Sequence, residues 1–337
     1  MKVTIYDVAK KAGVSISTAS KALNDRKDVG EKTKEKVKQI AKELSYEPSH
    51  FARALAMKKT GNIGVLTVRY YSTPMLTNPF YSKIIEGIEE GLMNSDLNLI
   101  TNVLRREQIE RLELPKMVKE KNIDGLILLG YMPEEFVDLI VNKGLPVVVV
   151  DNDVKENISM IVTDDEGGAY NAVNYLIKTG HKKIAYISGP SKRGSFKKRG
   201  DGYLKALSDN NIEIRPDFIL YNENEEPGYE WMKKILESND IPDAIFTCND
   251  VTAILCINML RERGLKVPDD ISVIGFDNIE MGQHFIPSLS TVDVDKEKIG
   301  IKAVNLLSDK IKNKTKSIER IIFPVNLIIR DSVKQRK

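Results

Sequence analysis

The sequence is poor in the side chains that most often carry metal or redox chemistry. Among 337 residues there are 2 cysteines, 3 histidines and 1 tryptophan. Cys248 and Cys256 share one apolar segment and offer neither a disulfide framework nor a metal-ligand spacing. His50, His181 and His284 are far apart, and none has a cysteine at ligand spacing. His181, in Thr179-Gly180-His181-Lys182-Lys183-Ile184, reads as a turn before a strand. No Gly-x-Ser-x-Gly elbow occurs, and Gly189-Pro190-Ser191 lacks the Lys-Ser/Thr ending of a phosphate-binding loop. These absences argue against an enzyme, a metal and a cofactor. No apolar run reaches the roughly 18 residues of a membrane span. The start, Met1-Lys2-Val3-Thr4-Ile5-Tyr6-Asp7, lacks the apolar stretch of a signal peptide, so the expectation is a cytoplasmic protein.

What is present is an ordinary globular composition, 42% hydrophobic and 29% charged, in a chain long enough for two or three domains. Its charge is uneven. The whole chain carries a net +3, whereas residues 1–60 hold 14 Lys+Arg against 7 Asp+Glu. A basic head on a mildly acidic body points the head toward a polyanion, although Lys-rich helices also serve solubility alone.

Ile5, Val8, Ala9 and Ala12 recur at helical spacing and make one apolar face. Thr4 can cap this helix, with Asp7 in the capping-box place. Gly13 ends it, because glycine enters the left-handed region without steric cost. Val14 fills the turn, and Ser15 caps a second helix from Ile16 to Asn24 with Ala19, Ala22 and Leu23 inward. Ser17, Thr18, Ser20 and Lys21 face out, small and polar enough to enter a major groove. A third helix, about 33–45, presents Val37, Ile40, Ala41 and Leu44 to the same core. The arrangement is a helix-turn-helix.

Thr4-Ile5-Tyr6-Asp7-Val8-Ala9, then Ala12-Gly13-Val14-Ser15, Thr18, Ser20 and Asn24 resemble, in order and spacing, the DNA-binding signature of the lactose-repressor (LacI/GalR) family. The resemblance implies a headpiece over residues 1–47 that grips double-stranded operator DNA. It places Ile16, Ser17 and Lys21 at the base-reading positions. Lys21 can donate to guanine, Ser17 is permissive, and Ile16 offers apolar contact to a thymine methyl. Thr4, Ser15, Thr18, Ser20, Asn24 and Thr33 are implied as backbone contacts. Ala19 replaces the family's usual Val, and Gly30 stands where a Ser-like cap is common, so slightly looser packing is expected.

Residues 48–61 are a linker by composition, with Pro48 and Ser49 opening a helix too short to be stable alone. Ala52-Arg53-Ala54-Leu55-Ala56 resembles the family's hinge helix. That implies Leu55 as a minor-groove wedge, Ala52 as a point of close approach and Arg53 as hinge support or a phosphate contact.

In residues 62–337, apolar runs alternate with helical patterns. One series holds 63–68, 97–103, 125–129 and 146–150, with a helix near 80–95 between its first two runs; a second holds 183–187, 218–220, 244–247 and 272–276. Runs buried on both faces suit parallel sheets flanked by helices, and two series suggest two doubly wound α/β subdomains with a cleft between them. Ligands of such sheets bind beyond the strands' carboxyl ends, here at Asp151, Ser188-Gly189-Pro190, Asn249-Asp250 and Asp277-Asn278.

This body resembles the periplasmic-binding-protein-like effector core of the same family. The resemblance implies Phe80, Asp151, Arg193, Ser195, Arg199, Asn249 and Asp277 as effector contacts, a donor and acceptor set suited to a sugar. The plain alternatives are a surface salt bridge for Arg199, a helix cap for Asp277 and a core aromatic for Phe80. The stretch Tyr221-Asn222-Glu223-Asn224-Glu225-Glu226 lacks the aromatic that stacks on ligand in several members.

The resulting expectation is a cytoplasmic, nucleoid-associated homodimeric repressor of carbohydrate genes, released by a sugar. The tail near Gln335 is too short for the heptad helix of tetrameric members. Two alternatives remain: a core that docks a phosphorylated carrier protein, and a DNA-binding head fused to a sugar-modifying enzyme.

Overall fold

The computed structural model describes residues 3–46, 59–69, 77–155, 157–223, 232–233, 236, 240–313 and 317–336. The head is three helices, α1 (Ile5–Ala12), α2 (Ile16–Leu23) and α3 (Glu31–Glu43). Val8, Ala9, Ala12, Ala19, Ala22, Val29, Val37, Ile40 and Ala41 make its core. Gly13 takes φ 70°, the left-handed C-cap its position requires. The Asp7 carboxylate accepts from Thr4 N at 2.9 Å and Thr4 Oγ1 at 2.7 Å. The Thr4 hydroxyl thus donates to Asp7 within the capping box the sequence offers. Ser15 caps α2 by accepting from Thr18 N at 3.0 Å. The third helix starts two residues earlier than its apolar face suggests, with Gly30 as an N-cap that offers no side chain. Glu31 in the first turn suits the positive end of the helix dipole, and Lys34 pairs with it at 2.6 Å.

Past the head, Asp124 fixes the point where the chain joins the core. Its carboxylate accepts from Thr60 N at 2.7 Å and Gly61 N at 2.8 Å. The first strand follows directly.

Twelve described strands form two six-stranded sheets. The first lobe holds β1 (Asn62–Arg69), β2 (Asn98–Arg105), β3 (Gly125–Leu129), β4 (Val147–Val150), β5 (Met160–Thr163) and β11 (Arg320–Phe323), in the order β11-β5-β4-β3-β1-β2. The second holds β6 (Ile184–Ser188), β7 (Ile219–Tyr221), β8 (Ala244–Thr247), β9 (Ser272–Asp277), β10 (Ser290–Asp293) and β12 (Asn326–Ile328), in the order β12-β10-β9-β8-β6-β7. All pairings are parallel except β10 with β12. The expected eight strands are all present, within a residue or two. Strands β5, β10, β11 and β12 were not anticipated.

Those four strands explain how the lobes are joined. The chain leaves the first sheet at Thr163 and enters the helix Asp165–Lys178, which packs on the second lobe through the helix Gly194–Asp209. It returns between Asp293 and the helix Lys296–Asn313, which packs on the helix Pro79–Leu92 of the first lobe. It crosses a third time between β11 and β12. The two first-lobe helices approach closely at paired glycines. A Cβ on Gly87 would lie 2.1 Å from the Glu297 carbonyl oxygen, and one on Gly300 would lie 2.2 Å from that of Ile84. Among the described residues no helix is long and apolar enough to cross a membrane.

Candidate functional site

Two faces carry the candidate residues. On the head, α2 presents Ile16, Ser17 and Lys21 to solvent, and Ile16 remains 48% exposed although apolar. Lys21 is the basic residue of the helix's last turn, and its ammonium lies 2.6 Å from Asp28. Several residues expected against the DNA backbone also pin helix ends. Ser15 Oγ and Thr18 Oγ1 are 2.8 Å apart, and Asn24 Nδ2 donates to Ser20 O at 2.8 Å. Thr4 is exposed, while Thr18, Ser20 and Thr33 are half-buried. Tyr6 is 58% exposed on α1. Ala52, Arg53 and Leu55 of the expected hinge lie outside the described residues.

The second face is the cleft between the lobes. On the first-lobe side Asp151 follows β4 with φ 56°, turning the chain at the strand's carboxyl end. Tyr81 donates its hydroxyl to Asp151 Oδ2 at 2.6 Å. Asn152 anchors the same loop by donating to Met132 O at 2.8 Å. Phe80 is buried edge-on against Tyr81, with centroids 5.1 Å apart, and lines a small hollow with Ile84, Val150, Asp151, Thr163 and Ile299. Phe80 is therefore a core aromatic of the first lobe, packed beside the Tyr81 that bonds Asp151.

On the second-lobe side the helix Gly194–Asp209 supplies Ser195 and Arg199, and Arg193 occupies its N-cap position. Arg199 is 2% exposed, which rules out the surface salt bridge considered from sequence. Its Nε donates to Asp165 Oδ1 at 2.8 Å. Its Nη1 donates to the Cys248 carbonyl and lies 3.4 Å from Asp277 Oδ1. The guanidinium stacks 3.6 Å above the Phe276 ring. Asp277 takes no cap role but turns its carboxylate to Arg199, while Lys296 donates to its backbone carbonyl. Asn249 does act as a cap, accepting from Thr252 N at 2.9 Å. Arg193 lies 5.4 Å over the Phe196 ring. Ser195 is half-buried near the start of the helix.

Tyr81 and Asp165 are site residues the sequence reading missed. Asp165 follows β5, so the rule of strand carboxyl ends would have reached it had that strand been read. A rim contact was also missed: Asp153 of the first lobe accepts from Lys198 of the second and from Arg320 at 3.3 Å.

Three carboxylates thus face two guanidiniums in a largely dry space. Burial raises the Asp151 carboxyl to about 6, and the charge of Asp165 adds to this while the Tyr81 bond opposes it. Burial also raises Asp165 and holds Asp277 well above the usual carboxylate range, each against the pull of Arg199. Burial alone would weaken the Arg199 proton; Asp165, Asp277 and Asp151 reverse that and raise its value. Among the described residues no group of His, Cys, Asp and Glu could hold a metal ion. Arg199 is spent on the protein's own acceptors, while the Asp151 and Asp277 carboxyls, bonded to Tyr81 and to Arg199, keep further lone pairs for a ligand. That suits an uncharged molecule rich in O–H or N–H donors.

Comparison with known proteins finds matches for both the head and the core. Residues 4–49 match the family described as bacterial regulatory proteins, lacI family, and residues 173–333 match a periplasmic binding protein-like domain. The HTH-type transcriptional repressor PurR of Histophilus somni (strain 129Pt) is 39% identical over 98% of this chain and 99% of its own. A lac repressor dimer bound to operator and the anti-inducer ONPF superposes with TM-score 0.82 at 27% identity, over 99% of this chain and 100% of that one. A complex of the transcriptional regulator CelR with cellobiose superposes with TM-score 0.74 at 28% identity, over 98% and 99% of the two chains. These relatives are regulators, in keeping with the absence of a catalytic constellation from the sequence.

Proposed function

The chain belongs to the lacI family of bacterial regulatory proteins and is a DNA-binding transcriptional repressor, and we propose that an uncharged small molecule held between its lobes, a sugar, sets its grip on operator DNA. The observation that carries the ligand class is that Arg199 is paired within the protein, while the Asp151 and Asp277 carboxyls, bonded to Tyr81 and to Arg199, keep further lone pairs for hydroxyl donors. A sugar also accords with cellobiose in the CelR complex. A second reading has its own support: the name PurR of the 39% identical relative suggests a purine-related ligand. A purine base is likewise uncharged and donates through N–H groups.

A thermal-shift series with mono- and disaccharides, and in parallel with free purine bases, decides between them. A sugar that raises the melting temperature and alters operator binding supports the first reading. A response to purine bases alone replaces the sugar by a purine. A response only to a phosphorylated carrier protein overturns both.

The DNA reading assigns Ile16, Ser17 and Lys21 to bases, Thr4, Ser15, Thr18, Ser20, Asn24 and Thr33 to the backbone, and Ala52, Arg53 and Leu55 to a folded hinge. Leu55→Ala is expected to weaken specific operator binding far more than nonspecific binding; equal losses in both would remove the wedge role. The protein works as a cytoplasmic homodimer in this reading. Self-association is supported by apolar side chains left in solvent on the second lobe. Val251 and Leu255, one turn apart on the helix Asp250–Glu262, are 41% and 42% exposed, and Met281 and Ile286 are 61% and 79% exposed.

A further inference from the structure

Lys21, the basic member of the base-reading set, is not presented alone. Its ammonium is 2.6 Å from the Asp28 carboxylate, and both side chains are about half exposed. The bond to Lys21 holds the Asp28 carboxyl below the usual range. The carboxylate is mounted on a braced segment. Arg26 N donates to Lys21 O at 3.0 Å, Val29 N donates to Arg26 O at 3.3 Å, and the Val29 side chain is buried in the head core. Asp25, in the left-handed region at φ 55°, is tied to Lys38 at 2.5 Å on α3. A flexible four-carbon stem is thus tethered to a carboxylate that its own backbone holds in place.

A negative charge on a surface that meets DNA works against sequence-independent affinity. An untethered lysine at this place would be drawn to the nearest phosphates, which carry no sequence information. One paired to Asp28 has part of its charge answered and its reach restricted, yet keeps two of its three N–H donors for a guanine edge.

We propose that Asp28 is a specificity-determining residue of DNA recognition, which positions Lys21 for a base and lowers its affinity for phosphate. It rests on the assignment of Lys21 as a base reader.

The test starts from random duplexes, so the operator sequence is an outcome and not an input. The full-length protein selects its preferred duplexes from a random-sequence pool, and the selected site is then measured against a scrambled duplex over a range of salt. For Asp28→Asn we expect scrambled-duplex affinity to rise several-fold, the salt slope to steepen by about one phosphate contact, and the specificity ratio to fall several-fold. Asp28→Glu should recover part of that ratio. In a Lys21→Met background, adding Asp28→Asn should leave the ratio unchanged. If Asp28→Asn strengthens selected and scrambled duplexes equally, Asp28 is only a general charge and the proposal falls while Lys21 stays a reader. If Lys21→Met selects the same sequences as the parent chain, the base-reading assignment falls and the proposal with it.

Discussion

Arg199 holds Asp165, Asp277 and a carbonyl while lying flat on Phe276, so its removal strands two carboxylates in a dry space. Breaking such a pair from one side costs about 3–5 kcal/mol. Arg199→Met is expected to lower the urea midpoint accordingly, and adding Asp165→Asn should restore part of the loss because one stranded charge is gone. Asp151 makes a pH-dependent contribution of the opposite kind. Its carboxyl is raised to about 6, against roughly 3.9 in an unfolded chain. Between those values the folded state binds more protons, so the stability this group contributes is full below the unfolded value and is lost as pH rises through about 6. Asp151→Asn still accepts the Tyr81 hydroxyl and carries no charge. The stability difference between parent and variant should therefore move in the variant's favour from pH 4 to pH 7 in urea titrations. A difference independent of pH would show that Asp151 does not titrate in this range.

At the scale of elements, the close crossing of the helices Pro79–Leu92 and Lys296–Asn313 depends on Gly87 and Gly300. A methyl group at either would meet backbone, which cannot rotate away, so Gly87→Ala should cost about 1–3 kcal/mol in thermal unfolding. Elements of this kind divided the sequence reading. The head was legible because Thr4, Gly13 and Ser15 punctuate it locally and its apolar face has helical period. Strands 125–129 and 244–247 were legible as uninterrupted apolar runs. Met160–Thr163 and Arg320–Phe323 were not. They pair with each other across nearly half the chain, and β11 is a sheet edge whose alternating burial lacks a core strand's signature. Asp165 was lost with the strand before it, and Tyr81 was overshadowed by Phe80, since only the tertiary fold brings its hydroxyl to Asp151. Arg199 and Asp277 were found as a set, but nothing local showed that they would bind each other.

Over the whole molecule, the exposed pair Val251 and Leu255 predicts an oligomeric consequence. Leu255→Asp should shift the protein toward monomer in sedimentation and weaken operator binding, while leaving the melting of an already exposed position nearly unchanged. A dimer that persists at micromolar concentration would place the self-contact elsewhere. The Asp124 clamp on Thr60 and Gly61 has a different kind of consequence. The head reaches the core through one covalent thread, whereas the lobes exchange three. One cut ahead of the clamp releases the head and leaves every sheet whole, but no one cut frees either lobe. The natural unit of exchange between such regulators is therefore the DNA reader. A chimaera joined just before Thr60 keeps its sensor intact, and one joined inside the core has to be spliced three times.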